Sequence, residues 1–149
     1  MKHYGLKILR QDGSSLNICG YGTVKYAMGR WQRIKNYGAY LAVGPLGICC
    51  GGIGPVVSVF EYDPRAGFVA GPPPPIDVRN YARVKRVANL KVPKKLLARI
   101  HRVPIMRDNK KIPGDVYFKY TRKIKAQLQN WAWKAYMRWL SKQGLRWYG

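Results

Sequence analysis

The sequence has few acidic residues. Of its 149 residues, 6 are Asp or Glu, whereas 28 are Lys or Arg. Internal ion pairs can therefore neutralise only a small part of the formal net charge of +22. A charge of this size keeps free chains apart and attracts a polyanion, an anionic lipid surface or an assembly that supplies counter-charge. The length suffices for one ordinary domain, or for a smaller domain with extended arms.

Residues that carry catalysis or bind metals are also scarce. The three cysteines, Cys19, Cys49 and Cys50, lack CxxC spacing, which argues against a disulfide framework and against a zinc site. The two histidines, His3 and His101, lie far apart in the chain and indicate neither a haem site nor an acid–base pair. No glycine pattern of a phosphate loop is present. We therefore expect no enzymatic activity, no cofactor and no metal.

The charge pattern is interrupted from Asn36 to Phe60, where no side chain is charged. An apolar segment of this length can cross about 30 Å of hydrocarbon as a helix. Its glycines and prolines would kink the helix, which membrane helices tolerate when neighbouring helices satisfy the freed backbone groups. We predict a kinked transmembrane helix over residues 37–60. Small residues spaced by four or so positions would pack it against protein neighbours: Gly38, Ala42, Gly47 and Gly51.

A second interpretation of this segment stays open. In it, residues 39–43 (AYLAV) and 55–60 (PVVSVF) form two short buried strands joined by a glycine-rich loop. Short apolar runs do not distinguish strands from buried helices by periodicity. The membrane helix is the leading prediction, and the pair of strands is the alternative.

The flanking regions complete a mainly α fold. Residues 1–36 are predicted to hold a small β-hairpin around Asp12-Gly13, followed by a basic amphipathic helix over residues 23–35. Residues 61–77 form a Pro/Gly-rich linker, in which the prolines at 72–75 favour a polyproline II rod.

The predicted C-terminal region, residues 78–149, is basic and helical. Asp77 is a suitable N-cap for a first helix, and Pro93 can start a second one that Pro104 ends. Apolar residues spaced by three or four positions predict a long third helix over about residues 116–143.

Two sets of side chains are predicted to meet partners. Tryptophan concentrates at protein interfaces and at membrane headgroups, so the predicted interface anchors are Trp31, Trp131, Trp133, Trp139 and Trp147. Basic clusters suit anionic headgroups or an RNA backbone. The cations predicted to contact lipid or RNA phosphates are Arg30, Arg33, Lys35, Arg79, Arg83, Lys85, Arg86, Lys94, Lys95, Arg122 and Lys123.

In composition, this small basic chain, rich in Tyr and Trp with one imperfect membrane helix, resembles the supernumerary subunits of large inner-membrane complexes. The resemblance implies a non-catalytic accessory subunit of a mitochondrial respiratory or ATP-synthase complex. Such a subunit would pack on core and accessory subunits and bind an anionic phospholipid such as cardiolipin. The alternative is a structural rRNA-binding protein of an organellar ribosome in the mitochondrial matrix, with residues 36–60 as core strands. It rests on charge, which is a nonspecific signal.

Overall fold

The computed structural model of the chain describes residues 2–16, 23–35, 38–66, 76–108 and 111–145. Within these ranges the chain forms six strands, one short 3₁₀ helix and two α-helices. The strands are β1 (His3–Leu9), β2 (Trp31–Arg33), β3 (Ala39–Ala42), β4 (Val56–Tyr62), β5 (Val78–Tyr81) and β6 (Arg83–Leu90). The helices are the 3₁₀ helix Pro45–Gly47, α1 (Lys94–Asp108) and α2 (Gly114–Lys142).

The strands form one sheet in the order β2-β6-β4-β1-β3-β5, and each strand pairing is antiparallel. The sheet curls until its two ends meet. β5 passes into β6 through Ala82 alone, and β2 and β3 also follow each other in the chain. β2 pairs with β6 while β3 pairs with β5, so these two consecutive pairs of strands run side by side. The strand pairings therefore form a closed ring.

Two contacts across the ring support this closure. The Ile34 N–H donates a hydrogen bond to the Ala82 carbonyl at 2.8 Å, which continues the pairing between the two halves. Tyr62 of β4 and Tyr81 of β5 stack with their ring centroids 3.7 Å apart. These strands lie three places apart in the sheet order, a separation that a flat sheet could not bridge at about 4.8 Å per strand.

A hydrophobic core fills the inside of the ring. Its buried members are Leu9, Tyr26, Ile34, Ala39, Leu41, Phe60 and Val84. The Tyr26 ring meets the Phe60 ring edge-on, with centroids 5.0 Å apart. Burying each large apolar side chain contributes about 1.5–3 kcal/mol, so this core stabilises the curled sheet.

The two α-helices pack on the outer face of the sheet. On α2, every fourth residue from Ile124 to Leu140 is buried. This stripe contacts Leu6 and Ile8 of β1 and the outward-facing valines of β4 in a second hydrophobic core. The Tyr4 ring also meets the Trp139 ring edge-on at 5.0 Å. The central strands are consequently covered on both faces.

The predicted transmembrane helix over residues 37–60 is wrong. The described part of this segment contains β3, the 3₁₀ helix and β4, and the alternative of two short buried strands is confirmed. In a helix, each interior proline costs about 3 kcal/mol and each glycine about 1 kcal/mol, whereas the run Val56–Phe60 is rich in residues that favour strands. Neither helix in the described ranges combines the length and apolarity that crossing a membrane requires.

Two further predicted helices are wrong, and so is the mainly α fold. Residues 31–33 form β2 and residues 78–90 form β5 and β6, where basic helices were expected. In the second segment, alternate residues are buried from Val78 to Val84, and one of them is the polar Asn80. Because a polar residue occupies a buried position, the alternation that predicts a strand is hidden in the sequence.

Other predictions match the structure. Gly13 has φ +84° and Asp12 accepts hydrogen bonds from Ser14, so the Asp-Gly turn is present; the returning arm forms only a single bridge, Leu9–Ser15, in the residues described. α1 begins as expected but continues through Pro104 to Asp108. α2 ends where expected, before Gly144 at φ +72°. The predicted polyproline rod lies outside the described residues.

Candidate nucleic-acid interface

The carboxylates are distributed unevenly over the fold. Four of the six make specific contacts within the sheet half: Asp12 with Ser14, Glu61 with Lys85, Asp63 with Arg83, and Asp77 with the Leu46 N–H. The other two, Asp108 and Asp115, lie at the adjoining ends of α1 and α2. The lengths of the two helices therefore have almost no acidic counter-charge.

Hydrogen bonds keep the sheet carboxylates ionised. The Arg65 backbone N–H donates to Asp63 at 2.9 Å, and the Arg83 guanidinium contacts the same carboxylate at 3.3 Å. These two hydrogen bonds, that from Arg65 first, lower the pKa of Asp63. The hydroxyl of Ser14, followed by its backbone N–H, lowers the pKa of Asp12 in the same way. Both carboxylates act as local structural anchors.

The cations of the helices, in contrast, are all exposed. They are Lys94, Lys95, Arg99, Arg102 and Arg107 of α1, and Lys119, Arg122, Lys123, Lys125, Lys134, Arg138 and Lys142 of α2. Along these two fully described helices, the one ion pair joins Arg107 to Asp108 at 3.5 Å. Twelve cations thus stand on the helical layer with two carboxylates, and most are available to an external anion.

Side-chain contacts fix part of this charge at the junction of the helices. The Tyr120 hydroxyl donates to the Arg99 carbonyl at 3.0 Å, and the Arg99 guanidinium donates to Gln127 Oε1 at 2.8 Å. The Arg102 guanidinium lies 5.8 Å from the centroid of the Tyr120 ring. These contacts hold two arginines of α1 beside α2.

Helical spacing brings two lysines to the same junction. Lys95 lies one turn before Arg99 on α1, and Lys123 lies between Tyr120 and Gln127 on α2. Residues three and four apart are neighbours on a helix surface. We call Lys95, Arg99, Arg102 and Lys123 the seam cations. Together they form a concentrated positive surface that could contact successive phosphates.

A cluster of cations on β6 is engaged within the protein. The Arg83 guanidinium lies 4.4 Å and the Lys85 ammonium 5.1 Å from the centroid of the Trp31 ring. The same two cations also pair with Asp63 and Glu61. These contacts assign Arg83 and Lys85 a structural role at this edge of the sheet.

Arg86 is held by a separate hydrogen-bond network. It donates to Ser58 Oγ at 3.0 Å, to Asn89 Oδ1 at 2.8 Å and to the Tyr26 carbonyl at 3.1 Å. Burial lowers the pKa of Arg86. Its guanidinium joins β4, β6 and the segment that carries Tyr26.

The other predicted contact cations divide between the two halves of the fold. The helical layer holds Lys94, Lys95, Arg122 and Lys123, whereas Arg30, Arg33, Lys35 and Arg79 are exposed on the sheet half. The predicted set lacked Arg99 and Arg102. Their spacing of three on a helix whose opposite side carries Leu96 and Ile100 is the signal that could have identified them.

The small residues predicted to share a helix face are dispersed. Gly38 has φ +75° before β3, Ala42 pairs with Leu6 in the sheet, Gly47 is buried in the 3₁₀ helix, and Gly51 lies in an open loop. Among the predicted anchors, Trp131, Trp133 and Trp139 pack against the outer core and Trp31 contacts cations. Trp147 lies outside the described residues.

The arrangement offers little for catalysis. Burial raises the pKa of Cys49 to about 12, and its Sγ lies 3.5 Å from the Lys125 carbonyl, which leaves a protonated, unreactive thiol. In the ranges that the structure describes, no three His, Cys, Asp or Glu residues are grouped closely enough to hold a metal ion.

Comparisons with protein families, curated proteins and solved structures gave no match. They therefore lend no support to the mitochondrial and respiratory assignment, which depended on the transmembrane helix that the structure replaces with strands. What remains informative about function is the geometry of the exposed charge.

Proposed function

We propose that this chain is a non-catalytic RNA-binding protein whose α1–α2 layer contacts the phosphate backbone. The observation that carries the proposal is the separation of charge. The carboxylates are engaged in the sheet half or lie at the helix ends, while all twelve helical cations are exposed. Phosphate neutralisation by Lys and Arg releases condensed counterions, and this supplies most of the free energy of nonspecific nucleic-acid binding.

The fold gives these cations a rigid support. The buried stripe of α2 packs on a closed sheet, and Tyr120, Arg99 and Gln127 join α1 to α2. Side chains held on packed helices lose less conformational freedom on binding than side chains on loops. Phosphate contacts of this kind position a protein on RNA without reading its sequence.

The test compares two triple variants that remove the same charge. Lys95→Gln, Arg102→Gln and Lys123→Gln neutralise three seam cations. Arg30→Gln, Arg33→Gln and Arg79→Gln neutralise three exposed cations of the sheet half. RNA affinity is measured over a range of salt concentrations after both variants are shown to unfold like the wild type.

We expect the seam variant to bind RNA more weakly and to lose about 2 from the slope of log affinity against log salt, at about 0.7 per lost contact with a single strand. The sheet variant is expected to keep the wild-type slope to within about one contact. Equal losses in the two variants would mean that net charge alone attracts RNA, and would contradict a site on the helices.

A further inference from the structure

The most exposed aromatic ring in the described part of the chain belongs to the helical layer. Phe118, in the second turn of α2, is 59% exposed although it is among the most apolar side chains. Other partly exposed aromatics of α2, such as Tyr120 and Trp139, use their rings in contacts within the fold. Phe118 contributes nothing comparable to either hydrophobic core.

Cations surround this ring. The Arg122 guanidinium lies over Phe118, 5.6 Å from the ring centroid. Lys119 is adjacent in sequence, and Lys125 follows Arg122 by three residues, on the same side of the helix by helical spacing. One face of the ring meets a cation, and much of the remaining ring surface is open to a ligand.

This combination matches an unpaired nucleotide better than a paired one. In single strands, bases stack on aromatic side chains while nearby cations contact the phosphates. In a duplex the bases are already stacked on one another, so an exposed ring on a helix surface gains little from them. An acidic protein partner or a lipid surface would use the cations but would not require an aromatic ring over an aliphatic one.

Resting on the proposed function, we infer that Phe118 and Arg122 form a stacking platform for one unpaired base, so that the preferred ligand is single-stranded RNA. The base stacks on the open face of the Phe118 ring, and a flanking phosphate pairs with Arg122. Binding is sequence-tolerant, because every base has an aromatic face.

The experiment measures the affinity of the full chain for an oligouridine single strand and for an RNA duplex. Four proteins are compared: wild type, Phe118→Leu, Phe118→Tyr and Ile105→Ala. Leucine keeps an apolar helix-compatible side chain but cannot stack, and tyrosine restores the ring. Ile105 is 69% exposed on α1 and provides the control for the loss of exposed apolar surface.

We expect Phe118→Leu to weaken single-strand binding about five- to tenfold, from the loss of one base–aromatic stack. The same variant should bind the duplex as the wild type does, and its salt slope should be unchanged. Phe118→Tyr and Ile105→Ala should behave as the wild type with both ligands.

Three outcomes would overturn the inference. Single-strand binding by Phe118→Leu equal to that of the wild type would leave the proposed function intact and remove the platform. Equal weakening with strand and duplex would assign Phe118 a structural role. Wild-type binding to vesicles of anionic phospholipid that also depends on Phe118 would replace the base by a membrane. Failure of the wild type to bind either RNA would instead contradict the proposed function itself.

Discussion

The Asp77 carboxylate accepts a hydrogen bond from the Leu46 N–H at 3.1 Å, across 31 residues of sequence. Leu46 is in the first turn of the 3₁₀ helix, where a backbone N–H has no partner within the helix. Asp77 therefore caps a helix, as its residue type predicts, but the helix lies in another part of the chain. Asp77 itself has φ +58°, a conformation that Asp and Asn adopt more readily than most residues.

Substitutions at Asp77 should separate the cap from the backbone conformation. We expect Asp77→Asn to change the free energy of unfolding by less than about 0.5 kcal/mol, Asp77→Gly to lower it by about 1 kcal/mol through loss of the cap, and Asp77→Ala to lower it by about 2 kcal/mol through loss of the cap and left-handed strain. Urea unfolding measures the series. A stability of Asp77→Ala equal to that of Asp77→Asn would contradict both effects.

Gly47 and Gly51 provide a matched pair of substitutions. A Cβ on Gly47 would collide with the Asp77 carbonyl oxygen and lie 2.9 Å from Val78 Cγ2, whereas a Cβ on Gly51 meets nothing within 4 Å. We expect Gly47→Ala to lower the free energy of unfolding by about 1–3 kcal/mol through overpacking, and Gly51→Ala to change it by less than about 0.5 kcal/mol. Thermal unfolding compares the two. Similar effects would argue against the packing of the 3₁₀ helix on β5.

The network of Arg86 predicts a stability effect rather than a binding effect. Arg86→Gln removes the donor that contacts Ser58 and Asn89, and Ser58 is fully buried. We expect a loss of about 2–3 kcal/mol, the range for hydrogen bonds to a charged group. Arg79→Gln, at an exposed position, should cost less than about 0.5 kcal/mol. Weaker RNA binding by folded Arg86→Gln, with unchanged stability, would reverse this assignment.

Burial of titratable groups predicts a loss of stability at alkaline pH. Burial raises the pKa of Cys49 from 9.0 to about 12 and also raises the pKa values of Tyr26 and Tyr136. The folded state therefore holds the thiol proton more tightly than the unfolded chain does. This contribution is complete below the unfolded pKa of 9.0 and is lost as the pH rises towards about 12.

The variant Cys49→Ala isolates the thiol part of this dependence. We expect it to gain stability relative to the wild type when unfolding is measured above pH 9.0 instead of at neutral pH. A constant difference between the two proteins across that range would show that the thiol is not buried in the folded state.

The long neutral segment illustrates why the fold was only partly predictable. β4 is covered on one face by the core inside the ring and on the other by α2. A strand buried on both faces has no polar alternation and gives a continuous apolar run, which also fits a membrane helix. α2 was predictable because one of its faces meets solvent, so its apolar residues keep a helical period.

The candidate site was predictable in kind but not in place. Composition alone indicates a polyanionic partner, yet the cluster Arg83, Lys85 and Arg86 looks as suitable as the helical cations. On a strand, these residues meet partners that are distant in sequence, such as Asp63 and Ser58. Only the fold distinguishes cations engaged within the protein from cations available to a ligand.

The central claim is that the helical layer binds RNA by neutralising its phosphates. The most direct test is the affinity of the wild-type chain for single-stranded RNA between about 50 and 200 mM salt. We predict that log affinity falls linearly with log salt, with a slope of at least about −2, as three or more phosphate contacts require. An affinity that does not change with salt, or no measurable binding at the lowest salt, would contradict the claim.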